Sequence, residues 1–176
     1  MKVSKTDFRV VDYRASSLRQ TISGLDSSIK FLVEKQKEYN WYDGIWFLED
    51  SEPIYGLAFI AFQNYINGCI HDFYMNLDNK TELYQLNPRF ESFKKSRIEL
   101  IIGLANFFKH KDEPKLHKGT QDVLDCFNLK KLDDINESPI FGGLDLLSKD
   151  WNLFDILEDV ENWREALVEK FYQQNK

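Results

Sequence analysis

Residues 153–171 read LFDILEDVENWREALVEKF, and their pattern indicates the fold class. When each residue is rotated by about 100° from the last, as in an α-helix, apolar and acidic positions separate onto opposite faces. The apolar face carries Leu153, Ile156, Leu157, Val160, Trp163, Leu167, Val168 and Phe171. The other face carries Asp155, Glu158, Asp159, Glu161, Glu165 and Glu169. This pattern predicts an amphipathic helix over about residues 150–173 that packs on other helices.

Four further stretches show helical periodicity or helical composition. They span about residues 16–39, 53–77, 90–111 and 122–127. Ser16 and Ser17 are suitable caps for the first stretch, Pro53 fits the first turn of the second, and Thr120 can cap the last. The second stretch is apolar nearly all round, which predicts a central position in the fold.

The remaining stretches read as connectors or as an irregular arm. Residues 1–14 lack helical periodicity, and residues 41–52, 81–88 and 128–143 read as loops. A chain of 176 residues with a hydrophobic fraction of 43% suits one domain with a substantial core. We therefore predict one all-α domain over residues 1–176, a bundle of four or five main helices with an irregular arm at 1–14.

Cysteine usage and hydropathy disfavour several functional classes. Cys69 and Cys126 lie in apolar stretches without the spacing of a zinc site, which is typical of buried free thiols. The first residues lack an apolar signal core, and no apolar run is long enough to span a membrane. We therefore expect a cytoplasmic protein without membrane contact, metal, cofactor or catalytic residue.

The charge is concentrated at one end of the chain. The net charge is −6, and residues 133–176 alone contain 11 acidic and 4 basic residues, a balance of −7. Such a surface would repel phosphate, so direct binding to nucleic acid is disfavoured. A basic protein is a more natural partner, although an acidic surface can also serve solubility alone.

Two acidic regions are candidates for binding such a partner. The terminal helix offers Asp155, Glu158, Asp159 and Glu165, and the stretch 41–52 offers Asp43, Trp46, Glu49 and Asp50. Aromatic side chains ringed by charge are common at the centre of protein interfaces. The alternative is that the aromatic residues of this stretch, Trp41 and Phe47 above all, belong to the core.

Polar residues also form a narrow stripe on each of two apolar helices. One stripe holds Asn64, Asn67, Gly68 and His71, and the other holds Glu99, Gly103, Asn106 and His110. Glycine in both stripes would allow close approach, so we expect the stripes to face each other. Paired histidines with a carboxylate could perform acid–base chemistry on a phosphodiester. The alternative is a hydrogen-bonded network that fixes helix register.

One short motif resembles a known group of proteins. Residues 104–113 read LANFFKHKDE, followed by TQDVL at 120–124. The Asn-x-x-Lys-His-x-Asp-Glu pattern is similar to that of small bacterial helical proteins, some of which resemble HEPN-type bundles. Others look like the immunity proteins of contact-dependent growth inhibition toxins. The resemblance covers about residues 55–130. HEPN ribonucleases carry an Arg a few residues before a His, whereas Arg97 here precedes His110 by thirteen positions.

These features lead to three functional hypotheses. The first, which the resemblance implies, is a monomeric immunity protein that neutralises a basic nuclease toxin domain through an acidic surface. The second is a HEPN-like ribonuclease acting through His71, His110 and Glu99. The third is a subunit of a larger assembly, with the apolar stretch 128–147 as its contact.

Overall fold

The computed structural model describes residues 10–86, 90–130 and 134–175, and within these ranges the chain is helical without a β-strand. Its helices are α1 (Ala15–Glu38), α2 (Gly44–Tyr74), α3 (Lys80–Leu83), α4 (Arg97–His110), α5 (Lys118–Cys126), α6 (Pro139–Leu147) and α7 (Leu153–Gln174), with a 3-10 turn at Ile135–Glu137. The all-α prediction is confirmed. Helices α1, α2, α4 and α7 are the long ones, which agrees roughly with four or five main helices. Most of the predicted arm, residues 1–9, lies outside the described residues.

Helix α2 is the centre of the bundle, as its composition predicts. It contacts α1, α4, α6 and α7, and Phe59, Phe62 and Ile66 are fully buried on it. The predicted start at Pro53 is wrong, because α2 begins at Gly44. The carboxylate of Asp43 caps it by accepting hydrogen bonds from the backbone N–H groups of Ile45 and Trp46, at 3.1 and 3.3 Å.

The predicted loop over residues 41–52 is therefore helical from Gly44 onward. Pro53 lies inside α2 and has no N–H to donate to the helix ladder. The 31-residue helix tolerates this because it is packed on several neighbours along its length.

Helix α4 begins later than its composition suggests. Ser96 and Glu99 form a reciprocal capping box: Ser96 Oγ accepts from the Glu99 N–H at 3.0 Å, and Glu99 Oε2 accepts from the Ser96 N–H at 2.9 Å. This cap fixes the start at Arg97 and not at residue 90. Glu99 thus has a local structural role in addition to its place in the polar stripe.

The caps of two other helices also differ from the predictions. The carboxylate of Asp12, and not Ser16 or Ser17, accepts the first free N–H groups of α1, including that of Ala15 at 3.1 Å. His117 caps α5, so that Thr120 lies inside the helix and is buried. In both cases a side chain outside the predicted helix competes successfully for the same N–H groups.

The apolar stretch 128–147, which reads as a loop, contains helix α6. Ser138 caps it, Pro139 occupies its first turn, and Ile140, Phe141 and Leu144 are buried. Gly143 permits close packing, since a Cβ at this position would lie 2.3 Å from Leu104 Cδ1 of α4. Most of the apolar side chains that the larger-assembly hypothesis assigns to a contact therefore lie in the core.

One buried carboxylate joins three helices. The Glu52 side chain of α2 accepts a hydrogen bond from Ser138 Oγ at 2.6 Å and forms an ion pair with Lys111, which follows α4. Ser138 is also the cap of α6. The junction therefore fixes the start of α6 and the end of α4 against the first half of α2.

Candidate functional site

An exposed aromatic surface lies where α1 turns into α2. Trp41, Ile45 and Trp46 are 62%, 51% and 50% exposed, and all three lie within six positions of the chain. We call these three residues the α1–α2 aromatic surface. The alternative prediction that Trp41 belongs to the core is wrong, whereas Phe47 is partly buried. Half-exposed tryptophans are uncommon on surfaces without a partner, because they leave a large apolar area in water.

Acidic side chains border this surface. Asp43 and Glu49 are exposed, and Asp43 also caps α2. Asp50 is held in place from two sides: Tyr42 Oη donates to Asp50 Oδ2 at 2.7 Å, and Lys35 Nζ lies 3.2 Å from the same oxygen. The hydrogen bond from Tyr42 is the largest of the effects that lower the pKa of Asp50, and Lys35 lowers it further.

The hydroxyl of Tyr42 should therefore control the ionisation of Asp50. In a Tyr42→Phe variant we expect the pKa of Asp50 to rise, because the largest single effect that lowers it is lost. The wild-type interaction stabilises the folded chain above the unfolded pKa of about 3.9 and is lost as the pH falls through the lower folded value. Carboxyl chemical shifts recorded against pH would measure the change, and an unchanged or lower pKa of Asp50 in Tyr42→Phe would contradict the assignment.

The acidic face of α7 is less open than its sequence predicts. Arg97 Nε lies 2.6 Å from Asp159 Oδ2, and Arg19 Nη2 lies 2.7 Å from Glu161 Oε2. Asp155 accepts a hydrogen bond from Ser148 Oγ at 2.7 Å. The pKa of Asp159 is raised, chiefly by burial, although Arg97 lowers it. Two of the four acids predicted to meet a partner, Asp155 and Asp159, are thus engaged within the chain.

Three acidic side chains of α7 remain open: the two other residues predicted to meet a partner, and Glu169. Glu158, Glu165 and Glu169 are exposed, and none forms an ion pair with any residue that the structure describes. They are spaced along the helix and have no exposed tryptophan beside them. The α7 face is therefore a weaker candidate for a protein interface than the α1–α2 aromatic surface.

The two polar stripes meet in part, at a polar cleft. Gln63 Nε2 donates to Asn106 Oδ1 at 2.9 Å, and Lys109 Nζ donates to Gln63 Oε1 at 2.6 Å, which joins α2 to α4. Asn67 lines the same cleft and accepts from Tyr84 Oη at 2.5 Å. The cavity volume is about 510 Å³, and α5 closes one side of it with His117 and Thr120.

Glu99 and Gly103 also line the cleft, whereas the other stripe residues, Asn64, Gly68, His71 and His110, do not. Asn64 and His71 are exposed, and the side chain of Arg14 lies 3.1 Å from where a Cβ of Gly68 would be. Gly103 does permit close approach, but to α5, where Val123 Cγ1 would lie 2.5 Å from an added Cβ. The stripes therefore face each other over their middle portions only.

The structure also separates the histidines of the ribonuclease hypothesis. His110 ends α4 and lies 2.7 Å from Glu113 Oε1, next to the Lys111 that binds Glu52. His71 lies nineteen residues further along α2 than Glu52, or about 28 Å of helix at 1.5 Å per residue. The two imidazoles cannot act together on one phosphodiester.

Sequence reasoning missed Gln63, Lys109 and His117 as members of the cleft. Gln63 stands four positions before Asn67, a spacing that places both amides on the same face of α2. That spacing was the available signal for Gln63. His117 had none, because its position depends on how the segment after α4 folds back.

Comparison of the chain with protein-family models, curated proteins and solved structures finds no match. Within the described residues, no helix is long and apolar enough to cross a membrane, and no three His, Cys, Asp or Glu side chains are grouped to hold a metal ion. The candidate sites on the described residues are the α1–α2 aromatic surface, the acidic face of α7 and the polar cleft.

Proposed function

We propose that this protein binds a basic partner protein through the α1–α2 aromatic surface. The observation that carries the proposal is the exposure of Trp41 and Trp46, together with Ile45, on one short segment. Trp163, by contrast, is fully buried in the core. Tryptophan is among the residues whose burial contributes most to protein association, since it presents a large rigid area with few rotatable bonds.

The charges around this surface indicate that the partner carries positive charge. Of the two basic residues between positions 31 and 50, Lys35 pairs with Asp50 at 3.2 Å and Lys37 pairs with Glu34 at 2.7 Å. Glu38, Asp43 and Glu49 form no ion pair with any other described residue. A partner with lysine or arginine around an apolar depression would complement two tryptophans and three carboxylates that form no ion pair with a described residue.

We further propose that the partner is a nuclease toxin domain and that the protein acts as its immunity protein. The resemblance of residues 104–124 to such immunity proteins motivates this step, and the chemistry of the surface is consistent with it. A nuclease must present cationic side chains to phosphate, and an acidic aromatic surface can cover them. Inhibition then requires no catalytic residue on the inhibitor.

Truncating Trp46 should reduce toxin binding without unfolding the protein. The wild-type protein should bind one of a panel of basic nuclease toxin domains from the same genome and protect growing cells from it. In Trp46→Ala we expect the Kd to rise by about 30-fold or more, the effect of losing a hot-spot tryptophan. Isothermal titration calorimetry and a growth assay would measure the two effects.

A matched control comes from α7. Phe154 is 41% exposed and lies outside the α1–α2 aromatic surface, so Phe154→Ala should leave the Kd unchanged. Equal loss of binding in both variants, or none in Trp46→Ala, would remove the surface from the proposal. Failure of every toxin domain to bind at micromolar concentration would remove the immunity function.

A further inference from the structure

The polar cleft between α2, α4 and α5 has an excess of positive charge. Lys80, Lys95 and Lys109 line it, together with Glu99 and Asp122. Lys95 Nζ lies 3.1 Å from Glu99 Oε1, so these two charges neutralise each other. Asp122 is exposed and lies alone against two remaining ammonium groups. The cleft is therefore locally cationic on a chain whose net charge is −6.

The two remaining lysines have no carboxylate partner among the described residues. Lys109 donates to the neutral Gln63 amide, and Lys80 forms no ion pair there. Burial lowers the pKa of Lys109, and repulsion from Lys80 lowers it further. The two ammonium groups repel each other, so an anion placed between them would stabilise the charged form of both.

A hydroxyl group adds a neutral donor to the same cavity. Thr120 is only 4% exposed and lines the cleft, and its Oγ1 forms no hydrogen bond with any described residue. This oxygen is not a buried atom without a partner, so it stays accessible from the cleft and can donate to a ligand there. Asn67 and Asn106 extend the polar lining, and each has a side-chain NH₂ group that no described residue accepts from.

We propose that this cleft binds a small phosphorylated molecule of about mononucleotide size. The phosphate lies between Lys80 and Lys109, and the polar part of the ligand pairs with Thr120 and the two asparagine amides. A cavity of about 510 Å³ falls within the usual range for small-molecule sites, roughly 300–1,000 Å³. The cleft shares no residue with the α1–α2 aromatic surface, so this inference stands apart from toxin binding.

Calorimetry on the full chain tests the proposal with AMP, GMP, CMP, UMP, the four nucleosides and inorganic phosphate as probes. We expect at least one mononucleotide to bind with a submillimolar Kd and its nucleoside to bind at least about tenfold more weakly, since a charge-assisted hydrogen bond is lost. Lys80→Met and Lys109→Met should each weaken binding by about tenfold or more. Thr120→Val should weaken it by a few-fold.

Controls separate a specific site from general charge attraction. Lys115 is exposed and does not line the cleft, so Lys115→Met should bind like the wild type. Lys80 is exposed and without an ion pair among the described residues, so its variant keeps the melting temperature and excludes unfolding as a cause. The proposal is overturned if no mononucleotide binds at millimolar concentration, if Lys80→Met binds normally, or if nucleosides bind as tightly as their phosphates. Equal affinity for inorganic phosphate would overturn the part assigned to Thr120 and the amides.

Discussion

Replacing Trp163 with alanine is expected to destabilise the folded chain by about 3–5 kcal/mol. The indole is fully buried on α7, and its Nε1 donates to the backbone oxygen of Leu83 at 2.8 Å. Truncation leaves a cavity and removes this hydrogen bond, so that the Leu83 carbonyl keeps the longer one from the Leu86 N–H at 3.3 Å. A domain of this size is commonly stable by about 5–15 kcal/mol, so the loss is a large fraction of the total.

Urea denaturation followed by circular dichroism would measure this loss. Trp163→Phe keeps most of the volume and removes the hydrogen bond, so it should cost about 1–3 kcal/mol. Glu165→Ala, on the exposed side of the same helix, serves as the control and should change stability by less than about 0.5 kcal/mol. An unchanged midpoint in Trp163→Ala would mean that α7 does not dock on the bundle as described.

Replacing Lys111 with methionine should destabilise the fold by about 3 kcal/mol at neutral pH. Glu52 is 7% exposed, and Lys111 is its cationic partner. Without that ammonium group, the one partner left to the buried carboxylate in the described part of the chain is Ser138. The expected cost reflects a buried charge left uncompensated, more than the value of the ion pair itself.

The double variant Glu52→Gln/Lys111→Met distinguishes these two causes. Removing the charge from Glu52 should recover at least half of the lost stability, since a neutral amide is much cheaper to bury than an unpaired carboxylate. Lys115→Met provides the control, because this lysine is exposed and near in sequence. A double variant as unstable as the sum of the two single variants would contradict this explanation.

The predictions that succeeded from sequence are those that depend on local periodicity. Helix α7 begins three residues and ends one residue after its predicted bounds, and Leu153, Ile156, Val160 and Leu167 are buried as expected. The apolar composition of α2 likewise predicted its central place. Burial of one helix face requires only that some partner exists, so the pattern is sufficient without knowledge of that partner.

Helix starts were predicted less well, for a local reason. The capping box at Ser96 and Glu99 and the cap at Asp43 are both visible in the sequence, but the surrounding composition outweighed them. Pro53 also suggested a helix start, whereas tertiary packing maintains α2 on both sides of it. The sequence offers more than one plausible start for α2, and packing against neighbouring helices determines which of them is used.

The helical class, the buried faces and the excess of acidic residues follow from the residue pattern alone. The tertiary structure selects which acids remain open, because their partners come from distant positions: Arg97 binds Asp159 across 62 positions, and Arg19 binds Glu161 across 142. It also decided that Trp163 is core while Trp41 and Trp46 face solvent. Periodicity predicts whether a side chain faces an apolar neighbour or solvent. Which charges pair and which aromatic rings stay exposed depends on which helices meet in the fold.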